Sequence, residues 1–92
     1  MAVLKRNELT AGLKSAKGWK REGKGISKTF VFEDFVAAMG FVQTVAFLAE
    51  KMNHHPDVDI RWKKVTLILS THSEGGITEK DLRLARQING VA

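Results

Sequence analysis

Two hydrophobic rhythms alternate along this chain, one of about 3.6 residues and one of two, and the switches between them mark seven elements. Leu9, Leu13 and Ala16 keep helical spacing with Lys14 outside. The spacing predicts a first helix from Asn7 to Ala16, capped by Asn7 and ended by Gly18. Trp19 to Glu22 reads as a short strand, Gly23-Lys24-Gly25 as a turn, and Ile26 to Phe32 as the return strand. Phe30 and Phe32 then share one face and Ser27 and Thr29 the other. Asp34 is placed to cap a long helix that runs to about Met52. Its apolar positions include Phe35, Val36, Met39, Val42 and Val45, joined by Phe41 and Phe47. That stripe is wider than one sheet face covers, so the helix is expected to meet a partner helix as well.

Asn53 suits the left-handed conformation that closes a helix, and Pro56 holds His55 extended. The chain should therefore leave the helix at or just before His54. Val58 to Trp62 reads as a third strand, with Asp57, Asp59 and Arg61 on its polar side. Lys63-Lys64 suit a tight turn, and Val65 to Thr71 a fourth strand with Val65, Leu67 and Leu69 on one side. Gly75-Gly76 form a loop. Thr78 caps a last helix, Asp81 sits in capping-box position, and Gly90 is its expected stop. Short links suit hairpins, so the expectation is one α+β domain over residues 1–92. It has a four-stranded antiparallel sheet with three helices on one face, in the order α-β-β-α-β-β-α.

Composition narrows the function without choosing it. The absence of cysteine excludes a disulfide framework, a thiolate metal site and a catalytic thiol, and fits a cytoplasmic setting. Lys5, Arg6 and Glu8 stand where an export signal needs an apolar core. The apolar run from Phe35 to Ala49 holds Gln43 and Thr44 and is short of the ~20 residues of a membrane span. Net charge is +5 and uneven. Residues 1–28 carry eight basic and two acidic side chains, hence +6, and residues 29–92 seven and eight, hence −1. The lysines are scattered among Gly and Ser, with only Trp19 near to stack on a base, so a solvated surface is favoured over a nucleic-acid site.

The chemistry concentrates around Asn53-His54-His55-Pro56. All three histidines and the only proline fall between Glu50 and Asp81. Glu50 lies four residues before His54, on the same helical turn, and can accept a hydrogen bond from its ring. A neighbouring carboxylate and a helix C-terminus both favour positive charge, which prepares an imidazole as a general acid. His72 follows the fourth strand, and the run Ser70-Thr71-His72-Ser73 adds hydroxyls for a polar ligand. Three other readings compete. Zinc is disfavoured because His54 and His55 are adjacent, whereas helical ligands sit three or four apart. Ser70 and Ser73 lack a nucleophile-elbow sequence. A helix end with solvated histidines would explain one imidazole better than three. Asp81 is explained by capping alone, and Trp62 is either core or a pocket wall. The residues alone support acid–base chemistry on a small polar substrate, or a binding site for one.

These residues resemble the pterin-4a-carbinolamine dehydratases, also known as dimerization cofactors of a hepatocyte transcription factor. The family pattern is a charged residue, His-His-Pro, an aromatic, a His and an Asp. Here it reads Glu50, His54-His55-Pro56, Trp62, His72 and Asp81, with gaps of three, five, nine and eight residues. Ser70-Thr71-His72, Gly76-Ile77-Thr78, and Phe30 and Phe32 match as well, so the likeness covers essentially the whole chain. It implies dehydration of 4a-hydroxytetrahydrobiopterin to quinonoid dihydropterin and water, in recycling the cofactor of aromatic amino-acid hydroxylases. No metal or redox cofactor is implied. His54 and His72 would carry protons and His55 would bind and orient. Asn53, Ser70, Thr71 and Ser73 would line the pterin pocket, Glu50 and Asp81 would support it, and Trp62 would wall it. Asn53 stands where some relatives have Asp, and Val58 where animal proteins often have an aromatic nearby. The likeness further implies homodimers through the sheet or tetramers through the long helix. It carries two alternatives to catalysis of this step: a coactivator-like interaction module, and a role in molybdenum-cofactor metabolism.

Overall fold

The computed structural model describes residues 2–92 and has the expected element order. Helix α1 spans Arg6–Leu13, strands β1 and β2 span Lys20–Glu22 and Gly25–Val31, and helix α2 spans Phe35–Met52. Strands β3 (Asp57–Arg61) and β4 (Lys64–Leu69), a 3-10 turn at His72–Glu74 and helix α3 (Glu79–Val91) complete the fold. All strand pairs are antiparallel, in the order β1-β2-β4-β3. The two central strands therefore come from opposite halves of the chain, and α2 carries the connection to the far edge.

Opposed residues of an antiparallel pair share a face. Ile26 opposes Leu69 and Phe30 opposes Val65, so the inner rows are continuous across β2 and β4. Those residues are buried against Leu9, Phe41, Val45, Leu82, Leu84 and Ile88 from the three helices. The outer face is largely polar, with Val31 and Ile68 as its apolar members: Thr29 and Thr66 bond through their hydroxyls at 2.8 Å, and Asp57, Asp59 and Arg61 face solvent. Phe41 packs at a tilt against both Phe30 and Phe32, with centroids 4.7 and 4.8 Å away. Trp19 is core, edge-on to Phe30, and its Nε1 donates to Asn89 Oδ1. No base could stack on it. Lys28 also donates to Asn89, and burial lowers its pKa below the usual lysine value.

Asp34 caps α2 by accepting from the Ala37 amide, and Thr78 and Asp81 form the capping box of α3. Several boundaries differ from the periodicity. Helix α1 starts before Asn7, because Glu8 reaches back to accept the Lys5 amide at 2.8 Å. It ends at Leu13, and tighter bonds three residues apart carry the chain on to Ala16. The first turn is Gly23-Lys24 alone, since Gly25 already pairs with Glu22. The second is Trp62-Lys63, one residue earlier than the lysine pair suggests, because Arg61 pairs with Lys64. Strand β4 stops at Leu69, where Thr71 turns to bond Gly76 across a small loop. Helix α3 continues through Gly90 to Val91, its last turn tied down by the bonds that Asn89 makes with Trp19, Lys28 and the Lys17 carbonyl.

By length and mean hydropathy of 1.3, α2 is apolar enough to cross a membrane. Its Ala38, Phe41, Val45 and Ala49 face instead packs into the core. Val36, Met39 and Phe47 remain exposed on the opposite side.

Gly25 approaches β4 so closely that a Cβ there would stand 2.7 Å from the Leu69 carbonyl oxygen. Backbone cannot yield as a side chain does. Gly25→Ala should therefore destabilise the fold by about 1–3 kcal/mol, measured by urea denaturation.

Candidate functional site

Helix α2 ends as its sequence dictates. Asn53 takes the left-handed conformation, at φ 50° and ψ 47°, and the His54 amide returns to the Ala49 carbonyl. This turns the His54 ring inward, against the first turn of α3. The ring is buried, and its Nε2–H donates to Oδ1 of Asp81 at 2.5 Å. The assignment follows from the carboxylate being an acceptor only. Nδ1 is then the nitrogen left unengaged.

Asp81 is completely buried. Its second oxygen accepts from the Thr71 hydroxyl at 2.8 Å and from the Thr78 amide at 2.9 Å. Thr71 and Thr78 bond each other at 2.8 Å, and Thr78 Oγ1 also accepts from the Lys80 amide. One carboxylate thus fixes three things: the start of α3, the His54 ring and the root of the segment that carries His72. Every buried side-chain polar atom among the described residues has a partner, so this network is closed.

His72 opens the 3-10 turn and is exposed, its Nε2 3.4 Å from the Ser70 hydroxyl. His55 points away from His54, as an extended neighbour must, and its Nε2–H donates to Glu50 at 2.5 Å on the surface. The expected Glu50–His54 bond is therefore replaced by two others, Glu50 with His55 and Asp81 with His54. The left-handed turn at Asn53 causes this, because it carries His54 off the helical face on which Glu50 lies.

Asn53, His54, His55, Ser70, Thr71, His72 and Ser73 line one cleft of about 400 Å³. Of the residues singled out from the sequence, Asp81 lies beneath its floor and Glu50 beside it. Trp62 is not part of it. With φ 55° it occupies the β3–β4 hairpin turn, is 68% exposed, and lies at the end of β4 opposite to His72. That is a strand's length away, about 20 Å. It walls nothing in this chain's cleft. Lys80 completes the lining, its Nζ donating to the Asn53 carbonyl at 3.4 Å, and was not anticipated. The signal that could have found it is a cation in the first turn of a helix, where the dipole disfavours one. Among the described residues no three His, Asp or Glu side chains converge as a metal requires.

Chemically the cleft offers imidazoles from two separate parts of the chain, hydroxyls and one ammonium. Such a set can hold a small polar molecule and move protons on it. The fold and cleft define a small α+β domain with a histidine-lined pocket. The chain belongs to the pterin 4 alpha carbinolamine dehydratase family, whose profile matches residues 2–91. A protein of Roseiflexus castenholzii, provisionally named a pterin-4-alpha-carbinolamine dehydratase, is 52% identical over 90 residues, covering 98% of this chain and 97% of its own. One of Thermomicrobium roseum with the same provisional name is 46% identical over 92 residues, covering 100% and 99%. The crystal structure of a transcriptional coactivator/pterin dehydratase from Brucella melitensis superimposes with a TM-score of 0.94 at 37% identity, over 98% of each chain. A pterin dehydratase-like RuBisCO assembly factor of the alpha-carboxysome shares the fold, with a TM-score of 0.72 at 21% identity over 85% of this chain and 93% of its own.

The two carboxylates should respond differently to neutralisation. Asp81→Asn is expected to destabilise the protein by roughly 3 kcal/mol, because it breaks a buried charged network. Glu50→Gln, on the surface, should stay within about 0.5 kcal/mol of the parent. Parallel urea titrations check both.

Proposed function

We propose that the protein dehydrates 4a-hydroxytetrahydropterins to quinonoid dihydropterins, with His54, His55 and His72 as its working residues. The supporting observation is that His54, His55 and His72 all line one cleft, with the His54 ring held by a buried carboxylate. In this reaction the bond from C4a to the hydroxyl oxygen breaks. One proton joins the leaving hydroxyl to make water, and one leaves a ring nitrogen whose electron pair forms the new double bond. Protons balance, so the step needs an acid and a base and no electron acceptor or metal. Imidazoles titrate in the neutral range and can serve as either, each contributing roughly 10²–10⁴-fold.

In this reading His54 and His72 carry the protons, on different walls of the cleft. His55, held by Glu50, orients the ring. Asn53, Ser70, Thr71, Ser73 and Lys80 supply polar contacts to the pterin, and Asp81 positions His54 and the His72 segment without touching substrate. Such a protein would act beside an aromatic amino-acid hydroxylase in the cytoplasm. The exposed apolar positions Val36, Met39 and Phe47 favour self-association through α2, as a dimer or tetramer.

That same face supports a second reading, an interaction module in which the cleft is secondary. Substitutions at Val36 and Phe47 would then abolish function while histidine substitutions would not. Phe41 is core and cannot serve in that comparison. A molybdenum-cofactor role would use the same cleft with a different pterin, and fluorescence titration with several pterins separates the two.

Stopped-flow measurement of carbinolamine dehydration tests the main reading. His54→Ala and His72→Ala should each lower the rate by about 10²–10⁴, and Trp62→Ala should leave it within about twofold. Parent protein no faster than buffer would sink the proposal.

A further inference from the structure

A second cavity lies on the back of the loop that carries His72. It measures about 230 Å³ and shares no lining residue with the histidine cleft. Its floor is apolar, made by Val3, Leu4, Leu9 and Ile77, and its rim carries Arg6, Arg21 and Lys24. Among the described residues no carboxylate lines it.

The placement of Arg21 is the telling feature. Arg21 opposes Ile26, and Ile26 opposes Leu69. Opposed residues share a face, so this arginine leaves the exposed edge strand on the core side, next to the fully buried Ile26, and reaches the groove from there. Here a planar fork of donors is aimed over an apolar floor. Its Nε donates to the Gly23 carbonyl at 3.2 Å, which fixes the plane and leaves its terminal NH₂ groups available. Arg6 and Lys24 converge from α1 and the hairpin turn. None of the three belongs to an ion pair among the described residues, where the pairs are His54–Asp81, His55–Glu50, Arg61–Asp59 and Arg86–Glu79. Three exposed like charges gathered at the rim of one apolar groove favour an anion there. The excess of +6 in residues 1–28 thus has a focus that its scatter along the sequence conceals.

We propose that this groove is a binding site for a small anion carried on a short apolar stem, such as an alkyl phosphate. The cations and the arginine fork take the anionic group, and the Val3, Leu9 and Ile77 floor takes the stem. At ~30 Å³ for each water-sized group, the volume admits only a small ligand. Gly75, Gly76 and Ile77 line the groove while Ser70 to Ser73 line the cleft. A ligand here therefore rests on the reverse side of the segment that presents His72.

The test is an amide NMR titration of the full chain with propyl phosphate, inorganic phosphate and 1-propanol, separately. Propyl phosphate should give saturable shifts at Leu4, Lys24 and Gly76 and bind more tightly than either fragment. Arg21→Gln should weaken it about tenfold or more. Lys24→Gln, in the exposed turn, carries the same expectation and guards against a folding defect at Arg21. The proposal is overturned if shifts do not saturate, if they centre on His54 and His72, if inorganic phosphate binds as tightly, or if both variants bind like the parent.

Discussion

The carboxylate of Asp81 is the point at which fold and cleft become one structure. Placing an ionisable group in a fully buried position is unfavourable unless its lone pairs are satisfied. Here both oxygens are used, by a helix-start amide, a threonine hydroxyl and an imidazole. Each partner belongs to a different stretch of chain. The end of α2, the loop after β4 and the start of α3 are thereby held to one another by polar bonds where the hydrophobic core runs out. Leu82, Leu84 and Ile88 anchor α3 to the sheet, but they do not fix where its first turn sits along its axis. Asp81 does.

This arrangement separates two kinds of histidine environment within one cleft. His54 is buried and its ring is set from behind. His72 is exposed on a short turn whose base is held by Thr71, through backbone bonds to Gly75 and Gly76 and a side-chain bond to Asp81. The two are thus controlled by one acidic residue, although one lies on a helix end and the other after a strand.

Much of this was legible in the sequence, and the limits were physical. Strand and helix identities followed from periodicity, because Ile26, Val65, Leu67 and Leu69 must be covered and Asp57, Asp59 and Arg61 must not. Asp34, Asn53 and Thr78 announced their caps correctly, since each side chain or backbone preference acts within four residues. Helix α1 was misplaced because a Glu reaching back outweighed an Asn cap, a competition that residue preferences leave undecided. The histidine cluster was legible through its spacing. Its pairing was not: Glu50 is one turn from His54 in sequence, but the left-handed turn at Asn53 redirects the ring toward a residue 27 positions on. Trp62 failed for a similar reason, since one residue of register moves it from strand to turn. Lys80 and the basic groove depend on which loops meet in space, and no local pattern carries that.

The left-handed exit at Asn53 has a consequence for how this chain can change length. Each residue added to a helix rotates the downstream chain by about 100° and advances it 1.5 Å. Helix α2 is held at its start by the Asp34 cap and along its length by Phe41 and Val45, so it acts as a ruler whose last mark is His54. Insertions within it would turn the imidazole out of reach of Asp81. The Trp62-Lys63 turn, at the far end of the hairpin, meets no such constraint. Variation in length should accumulate there and in the Gly23-Lys24 turn, while the eighteen residues of α2 stay fixed in number.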